Sequence, residues 1–149
     1  MKKKIVKLAA EAIFAAVEKK IAKKEEIKAH MFTEMWNDQL EFLDILVSKN
    51  KLPQYPIVLS EKAGQQVIRD LLRDAADELH EARMALKNSK SHRTTEIKEF
   101  DREHFIEEVV DSIKFCLGAL IYANVSIEEF FKAFKKKTTV NIQRQKEGY

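Results

Sequence analysis

Two short acidic motifs in this chain have the spacing of a metal site. DELHEAR carries Glu78 and Glu81, and EEVVD carries Glu108 and Asp111. Residues three apart on a helix project from one face about a turn apart, so each pair can address a single point. If the two helices pack antiparallel through their apolar stripes, the four carboxylates converge. Like charges brought that close repel strongly unless a cation neutralises them. Carboxylate oxygens are hard ligands, which selects Mg²⁺ or Mn²⁺ over zinc. The same spacing also occurs on solvated helix faces. There Arg83 and Lys114 would form surface pairs with Asp77, Glu81 or Asp111, and Asp74 and Asp77 compete with Glu78 as neighbours of Glu81. What favours the metal reading is the apolar company of Asp111: Val109, Val110, Ile113, Phe115 and Leu117. A carboxylate among such residues must be neutralised, paired or coordinated.

The elements that must position these acids are helices. The 149 residues contain only three glycines and two prolines, and Leu, Ile, Ala, Lys and Glu dominate. The expectation is one all-α domain over residues 1–149, an antiparallel bundle of about five helices. Ile5, Leu8, Ala12, Ile13, Ala16 and Ile21 mark an amphipathic helix over Met1 to Lys28, an addition to the bundle. A second helix spans about His30 to Lys49, with Met31, Met35, Phe42, Leu43 and Leu46 on its apolar side, and KNKLPQYP follows as a linker. Ser60 opens a third, with Ile68, Leu72, Ala75, Leu79, Ala82 and Leu86 as its core stripe. NSKSHRTT is a polar break, and a fourth helix covers about Ile97 or Asp101 to Ala123. Ser126 caps a fifth through Glu129. The metal site then falls between the third and fourth helices.

Composition excludes several classes. The lone cysteine, Cys116, permits no internal disulfide and no cysteine cluster for zinc, and its apolar surroundings make it a small core residue. No run of about twenty uncharged apolar residues exists, so no membrane span is expected. The start, MKKKIVKLAAEAIF, is interrupted by Lys7 and Glu11 and lacks a small-residue cleavage site, unlike a signal peptide. A reducing cytoplasm is the expected setting. A net charge of +3 is small, and the basic residues do not interleave with aromatics on one face, so no nucleic-acid partner is expected.

The order ExxE in DELHEAR, a gap, then ExxD in EEVVD resembles the all-α nucleoside triphosphate pyrophosphatases, the superfamily of dimeric dUTPases and MazG-like enzymes. FDREHFIEEVVDSIKF resembles that family's metal-binding helix, and FKAFKKKTTVNIQRQKEGY resembles the closing motif of the dimeric dUTPases. The resemblance covers roughly Ile68 to Tyr149. It implies Glu78, Glu81, Glu108 and Asp111 as Mg²⁺ ligands, with Glu78 also accepting the proton of the attacking water. It implies Lys137, Asn141, Arg144 and Tyr149 as phosphate contacts on a flexible tail, residues 138–149, with Lys87 as a further contact. Arg suits that role because its planar fork binds two phosphate oxygens at once.

Departures from the family pattern bear on the base. The first-helix QxxLN-like motif is replaced by MFTEMWNDQLEFLD, where Asn37 or Gln39 can hydrogen-bond a base and Trp36 can stack on one. Trp36 serves equally as a core anchor, with both amides at the surface. Lys114 stands where many members carry His, and His104 where they tend to carry Asn. The resemblance implies a cytoplasmic homodimer that hydrolyses a deoxynucleoside triphosphate, dUTP first, to monophosphate and pyrophosphate. The rival within the class is a dCTP-preferring or broad MazG-like pyrophosphatase. Outside it stands a non-catalytic helical oligomer or partner-binding protein, with Met1–Lys28 as its working surface.

Overall fold

The computed structural model describes residues 30–86, 92 and 99–148, and every described regular element is helical. The elements are α1 over residues 30–48, α2 (Lys62–Ala85), α3 (Arg102–Tyr122) and α4 (Ile127–Lys146). They correspond to the second to fifth expected helices. The expected N-terminal helix, Lys87 and Tyr149 lie outside the described residues. The chain divides into two compact units, Met1–Asp38 and Gln39–Tyr149. In the first, Trp36 is buried and Asn37 exposed. Everything below concerns the second.

Helix ends follow local chemistry. Asp101 caps α3 by accepting from the His104 N–H at 3.1 Å, and Ser126 caps α4 by accepting from the Glu129 N–H at 3.1 Å. Asn50 and Asn124, with φ of 53° and 59°, close α1 and α3 in the left-handed conformation that Asn tolerates. No residue between Thr138 and Lys146 breaks the helix. The Thr138 and Thr139 hydroxyls donate back to the carbonyls of Phe134 and Lys135, and α4 continues through the segment expected as a tail.

Of α2, α3 and α4, only α2 and α3 pack along each other. Leu71 sits against Gly118 at one end of the contact, and Glu78 meets Glu108 nearer the other, so the pair is antiparallel as expected. The interface uses Leu71, Ala75, Ala82 and Ala85 of α2 with Leu117, Gly118, Ala119 and Ile121 of α3, all buried. This corrects the expected stripe. Ala75 and Ala82 of that stripe are buried, whereas Leu72, Leu79 and Leu86 are exposed and Leu71 and Ala85, one position away, are buried. Cys116 is likewise exposed rather than in the core.

The linker straps this unit together. The Tyr122 hydroxyl donates to the Pro53 carbonyl at 2.6 Å, and the Ile57 N–H donates to the Tyr122 carbonyl at 3.0 Å. Tyr55 packs on the Tyr122 ring and donates to Asp44 at 2.6 Å. Burial, with the Asp44 carboxylate beside it, pushes the Tyr55 hydroxyl up to about 12, so it remains a donor at any working pH. The strap thereby ties α1 to the C-terminal end of α3.

Candidate metal centre

The antiparallel α2–α3 contact brings one oxygen from each of Glu78, Glu81 and Glu108 within 4.8 Å of one another. Glu78 and Glu108 are partly buried and Glu81 is exposed. The arrangement follows from the helical period, since Glu78 and Glu81 lie a turn apart on α2 while Glu108 reaches across from α3.

The electrostatics are those of crowded acids. The Glu78 carboxyl is held above the usual carboxylate range, first by a hydrogen bond with Glu108 and then by burial. The charges of Glu108, Glu81 and Asp111 push in the same direction. His104 Nδ1 lies 3.1 Å from Glu108 Oε1, and the Glu108 side chain is 13 % exposed. The i,i+4 spacing of His104 and Glu108 was the signal by which this partner was available in the sequence.

The fourth expected ligand stands apart. Asp111 is exposed, its oxygens fall outside the Glu78–Glu81–Glu108 group, and Glu78 feels it only as a charge. The more buried of the two acids on α3 is Glu108, one turn earlier. Among the rivals, Asp74 accepts from Arg73 at 3.2 Å and Asp77 is exposed. Lys114 forms no ion pair with Asp111 among the described residues; its ammonium lies over the Phe42 ring, 4.6 Å from the centroid.

A cavity of about 230 Å³ adjoins the cluster, with Glu78 and Asp111 in its wall. Phe42, Leu46, Leu71 and Phe115 supply apolar wall, and Gln39 and Lys114 are its other polar residues. Gln39 is only 5 % exposed, and its Oε1 is buried with no hydrogen-bond partner among the described residues. An unpaired buried carbonyl costs about 1–3 kcal/mol, so it marks a place where a donor belongs.

No family model, curated protein or solved structure matches this chain. The site therefore rests on its own chemistry.

That chemistry suits a hard divalent cation. The donors are oxygen only, they span the separation a small ion bridges, and like-charge repulsion leaves them short of positive charge. The described phosphate candidates Lys137, Asn141 and Arg144 fall on one face of α4 at i, i+4 and i+7 and are exposed. The chain bends by 116° between α3 and α4, and α4 does not pack along α2 or α3. No single helix among the described residues is long and apolar enough to cross a membrane.

Proposed function

We propose that this protein is a divalent-cation-dependent hydrolase that splits a deoxynucleoside triphosphate, dUTP first, into the monophosphate and pyrophosphate. The observation that carries the reading is the convergence of Glu78, Glu81 and Glu108 beside a cavity lined by Phe42, Phe115 and Lys114. Glu78, Glu81 and Glu108 would hold Mg²⁺ or Mn²⁺, with Asp111 one turn away in the cavity wall. Bound there, the ion supplies positive charge for the phosphate oxygens and lowers the pKa of water at the site.

The protein's own groups supply the rest. In its ionised form Glu78, whose carboxyl binds a proton more tightly than an ordinary glutamate, accepts the proton of the attacking water as it adds at phosphorus and the phosphoanhydride bond breaks. His104 stands 3.1 Å from Glu108 and holds that carboxylate in place. The apolar walls exclude water from the bound base. Lys137, Asn141 and Arg144 offer one cationic and amide face for the phosphate chain. Pyrophosphate release from the common nucleotides, with and without Mg²⁺, tests the reading. Release from dUTP that requires the cation supports it, and its absence for every nucleotide rejects it.

The working form in this proposal is a homodimer. Leu72, Leu79 and Leu86 recur at seven-residue spacing on the outside of α2, and Ile106, Val110 and Ile113 form a second exposed stripe on α3. Apolar rows of this kind on adjacent helices suit a second copy of the same chain. They also favour the second reading, a non-catalytic helical oligomer. That reading predicts no thermal stabilisation by Mg²⁺ with a nonhydrolysable dUTP analogue, whereas the hydrolase predicts a clear one.

A further inference from the structure

No residue of α4 is buried, although the helix runs for 20 residues and carries Phe130, Phe131 and Phe134. Phe131 and Phe134 are 55 % and 59 % exposed, and Ile142 is 52 % exposed. At about 100° per residue, Ile127, Phe130, Phe131, Phe134, Thr138 and Ile142 fall within one third of the helix circumference. They form a ridge about 22 Å long. Thr138, in the middle of it, donates its hydroxyl to the Phe134 carbonyl at 2.9 Å, so its polar group is satisfied within the helix. The charges border this ridge. Lys135 and Lys146 follow it on one side, Lys137 and Arg144 on the other, and Lys132 and Lys136 stand further round. No acid occurs from Phe130 to Lys146. Glu128 and Glu129 lie in the first turn, off the ridge, where the helix dipole favours them. Because α4 packs along neither α2 nor α3, the ridge faces outward from both.

We infer that α4 docks this protein on an anionic lipid surface, lying in the plane of the interface with the ridge at the headgroup–acyl boundary. The inference goes beyond the hydrolase reading and does not depend on it. Such a helix needs an apolar stripe and a cationic polar face, not a membrane-spanning length. The bordering lysines have stems that run along the apolar ridge while their ammonium groups stay among headgroup phosphates and carboxylates. Charge complementarity selects anionic over neutral lipid. A protein partner would need an apolar trough with acids along both rims, whereas an anionic bilayer presents that arrangement everywhere. All the cations but Arg144 are lysines, point charges without the planar fork that suits one specific phosphate or carboxylate. Aromatic and basic residues occupy adjacent sectors rather than interleaving, which suits a bilayer and not the stacked bases of a nucleic acid.

The test is co-sedimentation of the whole chain with vesicles of phosphatidylcholine, alone or mixed with phosphatidylserine. The wild type should bind the mixed vesicles at least about tenfold more strongly, and added salt should weaken that binding. Phe131→Gln with Phe134→Gln should lower it by about tenfold or more, because the ridge no longer enters the interface. Lys135→Gln with Lys146→Gln should lower it by about 10- to 30-fold, about fivefold per lysine. Both pairs leave Lys137, Asn141 and Arg144 in place, and an unchanged circular dichroism spectrum shows that the helix persists. Equal binding to both vesicle types overturns the inference, as does binding undiminished in the phenylalanine variant, which passes the interaction to another segment. Polyglutamate or polyuridylate bound as tightly as the mixed vesicles also overturns it, because the helix is then a general polyanion surface. Absence of vesicle binding rejects it, and a dimer lost in the phenylalanine variant would then give the ridge to a second copy.

Discussion

Glu78 on α2 and Glu108 on α3 set carboxylate oxygens within 4.8 Å of each other where the two helices meet, and a hydrogen bond between them holds the Glu78 carboxyl above the usual carboxylate range. Two ionised carboxylates cannot make that bond, because neither has a hydrogen to give. Glu78 therefore binds its proton more tightly than an isolated glutamate does. Glu81 and Asp111 add negative charge around it. A cation at this point would displace the proton, so cation binding, protonation and helix packing are linked.

The first consequence is a pH dependence whose sign is fixed. The folded Glu78 carboxyl ionises above its ordinary value of 4.5. Between the unfolded and folded values the folded state binds more protons, so stability falls as pH rises through that window. The penalty is absent at pH below the unfolded value and complete above the folded one. Glu78→Gln removes one charge and keeps a donor for Glu108. In metal-free buffer at pH 8 this variant should melt above the wild type, and near pH 4 the two should converge. A lower melting temperature for Glu78→Gln at pH 8 would contradict the raised proton affinity of Glu78.

A second prediction separates the four acids. Glu78→Ala, Glu81→Ala and Glu108→Ala each remove an oxygen from the converging group, and each should lower Mg²⁺-dependent pyrophosphate release by about 10²- to 10³-fold. Asp111→Ala removes a residue that lines the cavity outside that group, so its loss should be smaller, about 10-fold. Calorimetric titration with Mg²⁺ gives an independent readout, in which the three glutamate variants weaken binding more than Asp111→Ala. An Asp111→Ala defect equal to the others would place Asp111 among the ligands.

How much of this was available in the sequence differs between period and phase. Helical periodicity with caps such as Asp101 and Ser126 located α1 to α4, because caps and breakers act locally. The acid spacing brought Glu78, Glu81 and Glu108 together for the same reason. Phase was not available. Of the expected stripe Ala75 and Ala82 are buried, but Leu72, Leu79 and Leu86 repeat as regularly as Leu71 and Ala85, and periodicity alone does not choose between adjacent rows. The same ambiguity of one position put Cys116 in the core, where Leu117 stands instead. The Lys114–Phe42 contact joins residues distant in the chain, and no local pattern announces it.

The third prediction contrasts two glycines. A Cβ on Gly64 would collide with the backbone carbonyl of Val58, which cannot move without shifting the linker. Gly64→Ala should therefore destabilise by about 1–3 kcal/mol. A Cβ on Gly118 would meet Gln39 Nε2 at 3.6 Å and leucine methyls at 3.9 and 4.0 Å, ordinary contacts. Gly118→Ala should be tolerated, with a change within about 1 kcal/mol, aided by the higher helix propensity of alanine. Urea unfolding of both variants checks the ranking, and a Gly118→Ala loss exceeding that of Gly64→Ala would show that the linker yields more readily than α3.

The last prediction concerns the exposed rows on α2 and α3. If a second copy covers Leu79 and Val110, a charge at either position must be desolvated at the interface without a partner. Both side chains are close to half exposed in the single chain, so the same charge costs its fold little. Light scattering at micromolar concentration should therefore give twice the chain mass for the wild type and one chain mass for Leu79→Asp with Val110→Asp. Circular dichroism should show the helix content of the variant unchanged. Activity then separates two uses of the dimer. A monomeric variant that still hydrolyses dUTP builds its site from one chain, whereas a folded monomer without activity needs groups from the second. A wild type that scatters as a monomer at that concentration would rule out the homodimer and leave the two rows for a different partner.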